Sequence, residues 1–444
     1  MTKVITYGTY DMLHYGHIRL LERAKALGDY LIVGVTSDDF DKTRGKINVQ
    51  QSLMERVEAI RATGIADEII IEEYEGQKID DIRRLGVDIF TVGSDWKGHF
   101  DYLNEYCKVV YLSRTEGVSS TEIRTSKRVL KMGLVGDKSD FLLRFLSESR
   151  YVNGLDAVGI CTNQENTLPE PLASLPLVTS NYDELLKNVD SVYLISSPAN
   201  HYDQIKKALE NGIHVLCESP IVIDPRQYSQ LLTLANSNRC VLTEAIRTAY
   251  STAYSRLLLL IKSGKIGRVV SVDATCTAIR NIDDSAEAEW NSICEWGPTA
   301  MLPVFQILGC DYKSKQIVSN VVDEELKWDS FTKIDFIYKN AVASVKVGKG
   351  VKSEGELIIS GTKGYVYVPA PWWKMDYFEI RYENPADNKR YFYQLDGEGI
   401  RYELVAFVKA VEVGKNTGFI SEKTSSEFSR VINDYVAKKY VRID

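Results

Sequence analysis

Over roughly the first quarter of the chain, apolar residues fall into short unbroken runs separated by segments with helical spacing. KVITYG, YLIVGVTS, ADEIIIEE, VDIFTVGS and KVVYLSR read as strands that are apolar throughout. Between the first two, HIRLLERAKALG sets Leu20, Leu21, Ala24 and Leu27 on one face, with Gly28 as a stop. That spacing predicts a helix beginning near His17. Strands apolar on both faces and alternating with helices predict a parallel sheet covered on both sides, a doubly wound α/β domain over residues 1–128.

The alternation then starts again. LKMGLVG, LDAVGICT, SVYLIS, HVLCE and CVLTEA alternate with helical patterns such as YDQIKKALENG and PRQYSQLLTLANS, giving a second domain of the same kind over 129–249. Residues 250–444 open with the helix TAYSRLLLLIKSG and turn β-rich in GRVVSVDATCTA, TKIDFIYKN, AVASVKVG and GELIISGTKGYVYV. The helices RYELVAFVKAVEVG and SSEFSRVINDYVAKKY close the chain. The expected fold class is α/β: two doubly wound, Rossmann-like parallel-sheet domains, then a C-terminal α+β domain with a predominantly antiparallel sheet.

A chain of 444 residues suits about three such units. Its net charge of −7 argues against a nucleic-acid partner, whose phosphates call for a basic face. No run approaches the roughly 18 apolar residues of a membrane span, and the start, MTKVITYG, lacks a signal-peptide core. The seven cysteines are scattered and never form CxxC, so free thiols in a reducing cytoplasm are expected.

The candidate chemistry begins at GTYDMLHYGHIRL, where a strand ends and a helix begins. Ligands of open parallel sheets gather at that strand end, and helix N-termini there attract anions. Gly16 allows close backbone approach, and His14 and His17 can donate to phosphate oxygens. An isolated HxxH is more often local packing. A second anion-friendly helix start, SRTEGVSSTEIR after the last strand of the same domain, changes the balance: Arg114 brings charge, and Ser119, Ser120 and Thr121 bring hydroxyls. Together they point to a nucleoside triphosphate.

Residues 1–124 resemble the glycerol-3-phosphate cytidylyltransferases of the HxGH nucleotidyltransferase superfamily. VITYGTYDMLHYGHIRLLERAKALGDYLIV, GSDWKGHFDYL and YLSRTEGVSSTEIR carry the likeness. The resemblance implies transfer of CMP from CTP to glycerol 3-phosphate, giving CDP-glycerol for cell-wall or capsule polymers, with Mg²⁺ on the CTP and a homodimer formed through this domain. It implies catalytic roles for His14, His17, Lys46 and Arg114. The nucleotide would be held by Thr9, Tyr10, Gly16, Asp95, Thr115, Ser119, Ser120 and Thr121, and the acceptor's phosphate by Arg44, Arg56 and Lys78. Three positions depart from the family. Arg44 replaces a lysine, Ser94 an aspartate, and Gly64 an arginine for which Arg61 is the candidate substitute.

From Val129 onward the chain is similar to the glucose–fructose oxidoreductase and inositol dehydrogenase family (Gfo/Idh/MocA). The likeness lies in SVYLISSPANHYDQIKKALENGIHVLCESPIVIDPRQ, GKIGRVVSVDATC and ELIISGTKGYVYV. That family implies NAD(P), but its motifs are eroded here. The glycine loop has become Gly136-Asp137-Lys138-Ser139-Asp140-Phe141. Cys161, Thr162 and Asn163 stand where an acid would hold the ribose, Ser219 replaces the catalytic lysine, and Thr299 the usual histidine, while Glu295 is kept. The expectation is a non-catalytic second half. The alternatives are a bifunctional enzyme whose second half makes the polyol phosphate with NAD(P)H, or a cytidylyltransferase for another phosphoalcohol.

Overall fold

A computed structural model describes residues 1–13, 15–38, 49, 51–74, 76–113, 129–152, 154–279, 290–323, 328–393, 395–415 and 419–443. The chain divides into two compact units, Met1–Val129 and Leu130–Asp444.

In the first unit β1 (Lys3–Gly8), α1 (Tyr15–Lys25), β2 (Tyr30–Thr36), α2 (Leu53–Thr63), β3 (Glu68–Glu72), α3 (Gln77–Leu85), β4 (Ile89–Gly93) and β5 (Lys108–Leu112) follow in order. The strands form one parallel sheet, β3-β2-β1-β4-β5. Alternate residues of β1 serve opposite cores: Val4 packs with Leu21, Ala24 and Ile60, and Ile5 with Ile82 and Phe90. Gly34 permits one tight contact, since a Cβ there would lie 2.2 Å from the Tyr7 ring. The strand order reverses between β1 and β4, so the crevice at their carboxyl ends is where a ligand belongs.

The second unit begins with β6 (Leu130–Val135), α4 (Ser139–Ser149), β7 (Leu155–Cys161), β8 (Leu177–Thr179), β9 (Ser191–Leu194), α5 (Pro198–Glu210), β10 (His214–Glu218), α6 (Pro225–Ser237) and β11 (Leu242–Ala245). Its parallel sheet runs β11-β10-β9-β6-β7-β8, the dinucleotide-fold order. Next come α7 (Thr252–Lys262), β12 (Val269–Thr277), α8 (Ser292–Leu308), β13 (Ser314–Asp323), β14 (Trp328–Ile337), β15 (Val342–Gly348), β16 (Leu357–Gly361), β17 (Tyr365–Val368), β18 (Tyr377–Arg381), β19 (Lys389–Phe392), α9 (Ile400–Val413), α10 (Glu422–Val436) and β20 (Val441–Arg442).

These strands build a third sheet, β19-β18-β17-β16-β12-β15-β14-β13-β20, antiparallel except where β12 meets β15 and β13 meets β20. The fold class read from the sequence therefore holds. Helix α9 returns to the second sheet, where Ile400, Leu404 and Phe407 pack on Leu142, Phe145 and Tyr193.

Candidate functional site

A capping box between Ser52 and Glu55 fixes the first turn of α2 and, with it, Arg56. The Arg56 side chain is fully buried. Its guanidinium donates to the backbone carbonyls of Thr9 at 2.7 Å, Thr36 at 2.8 Å and Gln51 at 3.2 Å, and it pairs with Asp38. Gln51 reaches back to the same loop: its Oε1 accepts from Met12 N at 2.7 Å, while its own N–H donates to Asp11 at 3.0 Å. These bonds hold a turn in which Tyr10 and Met12 adopt φ of 54° and 49°, values uncommon outside glycine.

The Tyr10 ring is buried and meets His17 edge-on, with centroids 5.6 Å apart. Thr9, Tyr10, Gly16 and His17 are thus brought together above β1. The helix carrying Gly16 and His17 begins at Tyr15, two residues before the expected start, because the turn closes earlier than the apolar periodicity shows. Asp95 is exposed in the short Ser94–Trp96 turn after β4, on the other side of the crevice. His14, Arg44, Lys46, Arg114, Thr115, Ser119, Ser120 and Thr121 lie outside the described residues.

Two acceptor-phosphate candidates are described, and they differ. The sequence reading put Arg56 directly on the phosphate. The structure engages its guanidinium with the carbonyls of Thr9, Thr36 and Gln51 and with Asp38, so it ties the loop that carries Thr9 to the end of β2 and the start of α2. Lys78, at the start of α3, is buried and ion-paired with Glu72. Its ammonium stands 4.7 Å from the Tyr7 ring centroid and 5.5 Å from that of Phe100. Burial, then the neighbouring Asp81 carboxylate, pushes the Tyr7 phenol up. Gly64 is the left-handed cap of α2, with φ 65°, which suits glycine far better than an arginine. Arg61, one helical turn before Gly64, pairs with Glu58 on an exposed face.

In the second unit Gly136 has φ 144°, and a Cβ would come within 2.9 Å of Ile195. The next residue, Asp137, accepts from Thr162 Oγ1 at 2.7 Å, Asn163 N at 2.8 Å and Asn163 Nδ2 at 3.0 Å. Burial raises the Asp137 carboxyl, but these donors outweigh it and hold the group below the usual carboxylate range. Lys138 lies over the Trp290 ring at 4.6 Å. Ser219 donates to the buried Glu244, and Tyr193 donates to Glu218. Burial raises Glu218 against the opposing pull of Arg247, while burial and then Glu218 keep Glu403 well above its ordinary value. Glu295 pairs with the buried Lys349 at 2.9 Å, and Thr299 is half-buried in α8.

The cytidylyltransferase-like family matches residues 5–126. Over 124 residues the chain is 50% identical to a glycerol-3-phosphate cytidylyltransferase of Bacillus spizizenii, covering 28% of this chain and 95% of that protein. A protein of the same description from Staphylococcus aureus is 48% identical over 128 residues, covering 28% of this chain and 93% of its own. The chain belongs to the cytidylyltransferase family.

It is a nucleotidyltransferase, and the family relation lies within its first unit. An oxidoreductase family with an NAD-binding Rossmann fold matches residues 132–246. A 3-ketoreductase from Actinomadura kijaniata, solved with NADP and TDP-benzene, superposes with a TM-score of 0.64 at 16% identity, over 71% of this chain and 99% of that one. A UDP-N-acetylglucosamine 3-dehydrogenase from Acidithiobacillus ferrooxidans gives 0.59 at 14% identity, over 70% and 98%. At such identities the likeness shows the fold of the second half alone. Sequence reasoning about this cytidylyltransferase missed Asp38, Gln51 and Glu72. The available signal for Glu72 was a charged residue closing an apolar strand at the ligand end of the sheet.

Proposed function

We propose that the chain transfers CMP from CTP to glycerol 3-phosphate, releasing pyrophosphate and forming CDP-glycerol. The observation that carries this reading is the 50% identity spanning 95% of a relative of that description. The acceptor's phosphate monoester is already anionic at neutral pH, so it needs no general base. One of its oxygens bonds to the α-phosphorus of CTP while the bond from that phosphorus to pyrophosphate breaks. Such a reaction asks for alignment and charge neutralisation. His14 and His17 would donate to the phosphates, Lys46 and Arg114 would supply cations, and Thr115, Ser119, Ser120 and Thr121 would cradle the triphosphate. Thr9, Tyr10, Gly16 and Asp95 would seat the nucleotide, with Lys78 and Arg44 on the acceptor. A Mg²⁺ ion carried on the triphosphate would screen the two like-charged reactants.

The second half is proposed to be non-catalytic, serving assembly or binding. Its residues fit a dinucleotide poorly. Asp137 and Asp140 place carboxylates at the start of α4, where a pyrophosphate would need the helix's positive end. Lys138 has a side chain where the fold family relies on glycine for close backbone approach. Thr162 and Asn163 are bound to Asp137. Ser219 and Thr299 are weak replacements for a proton-handling lysine and histidine.

The reading extends to a homodimer, a cytoplasmic location and a wall or capsule polymer pathway. Seven free thiols and the family likeness support it. Among the described residues, no helix is long and apolar enough to cross a membrane. The deciding assay offers CTP with glycerol, ribitol, erythritol, ethanolamine and choline phosphates, and scores pyrophosphate release. Glycerol 3-phosphate should give the highest kcat/KM; a clear preference for any other acceptor overturns the assignment.

A further inference from the structure

At one end of the third sheet a cavity of about 500 Å³ opens between α7, the start of β12, the end of α8 and the turn joining β14 to β15. Its volume lies within the roughly 300–1,000 Å³ of small-molecule sites. Leu258 and Ile261 of α7 and Ile307 and Leu308 of α8 give it apolar walls. Lys262, Arg268 and Lys339 reach it from three separate elements, with exposed side chains. Among the described residues none of these three cations has an ion-pair partner or a side-chain hydrogen bond. The carboxylates around them are engaged elsewhere. Asp311, the acid of the lining, pairs with Lys423 of α10 at 2.7 Å. Glu427, whose charge also acts on Tyr338, pairs with Arg430 and accepts from Tyr312. Even with Asp311 counted in full, three cations against one acid leave the lining net positive, in a chain of net charge −7. The C-termini of α7 and α8 bring roughly half a negative charge each, which reduces that excess without cancelling it. Gln306 completes the wall: its Nε2 donates to Phe419 O at 2.5 Å, and its Oε1 is buried with no donor among the described residues.

We propose that this cavity binds a small soluble organic phosphate, with the phosphoryl group on Lys262, Arg268 and Lys339 and the apolar body against the four aliphatic side chains. A hydroxyl or N–H of the same ligand would satisfy Gln306 Oε1, an acceptor that is costly to leave buried and unmet. Three cations on three elements suit a phosphate, which offers an oxygen to each, better than a carboxylate with two. One exposed lysine contributes little by itself. Several like charges around a low-dielectric hollow focus the field on its mouth, and the covered apolar body adds its own gain. Every lining residue belongs to the second unit, so this binding is separate from cytidylyl transfer and gives the second half a ligand without a dinucleotide.

1-Naphthyl phosphate is the probe, being fluorescent, apolar at one end and doubly charged at the other. Its anisotropy is followed on titration with the full chain. It should bind at least about tenfold more tightly than 1-naphthol, which lacks the charge, and than inorganic phosphate, which lacks the apolar body. A preference under about twofold over either compound overturns the proposal. Lys262→Ser, Arg268→Ser and Lys339→Ser combined should weaken the probe by about tenfold or more and remove the salt dependence of its binding. The three side chains are exposed, so the thermal melt and the rate of cytidylyl transfer should stay at their wild-type values. Loss of probe with transfer intact then places the site in the cavity. Undiminished probe binding by the combined variant places it elsewhere and overturns the proposal. Flotation with vesicles of phosphatidic acid in phosphatidylcholine separates a soluble ligand from a lipid headgroup. The wild type should not float; flotation that the combined variant loses overturns the assignment to a soluble ligand.

Discussion

Arg56 and His17 show how differently two polar residues can serve one site. His17 stands in the first turn of α1 against Tyr10, and the proposed reading gives it to the phosphates. His17→Ala should lower kcat by about 10²–10³-fold, the usual effect of losing one transition-state donor, with the far-ultraviolet circular dichroism spectrum unchanged. Near-normal turnover would remove the histidines from the chemistry. Arg56 acts one step back. Its planar fork reaches three carbonyls and Asp38 at once, which the point charge of lysine cannot do. Arg56→Lys should cost about 2–4 kcal/mol of stability and raise the CTP KM through a loosened loop, seen in thermal melts and initial rates. Reading Arg56 as a phosphate ligand was natural from sequence, where a cation near a site looks the same whether it faces substrate or backbone.

At the scale of elements, local patterns located most of the named strands and helices to within a residue or two: the strand YLIVGVTS became Tyr30–Thr36, and the helix RYELVAFVKAVEVG became Ile400–Val413. Helix α8 was missed. Pro298 and Pro303 lie inside it, and proline is a helix-breaking signal that buried tertiary packing overrode here. Its N-terminus is tied down by Asp329 of β14, which accepts from Ser292 N at 2.8 Å. Burial pushes that carboxyl up to about 6, although the hydrogen bonds from Thr332 and Ser292 oppose the shift. A carboxyl raised in the folded state holds its proton longer there than in the unfolded chain. Asp329 therefore lowers stability as pH climbs from its unfolded value near 4 through about 6, and the loss is complete above that. Asp329→Asn should flatten this part of the Tm-against-pH curve between pH 4 and 7. An unchanged slope would show that the group does not titrate in that window.

For the whole molecule, two compact units carry separate cores, so heating should give two transitions. A ligand that binds only native protein raises the transition of the unit that binds it. CTP should move one transition and leave the other, and NADPH should move neither. A shift of the second transition by NADPH would revive the bifunctional reading, in which the second half makes the polyol phosphate. The eroded glycine loop was visible in the sequence. The engagement of Asp137 with both Thr162 and Asn163 was not, because it depends on two strand ends lying side by side.

The sequence by itself determined the strand–helix alternation, the sheet types and the cytidylyltransferase motifs. These follow from side-chain periodicity and short-range backbone preference, which operate over a few neighbouring residues. Only the tertiary structure decided which charges meet. Arg56 finds Thr9 across 47 positions and Glu72 finds Thr36 across 36. Contacts of that separation are set by the order in which strands close into a sheet, and no local window of the chain contains that order.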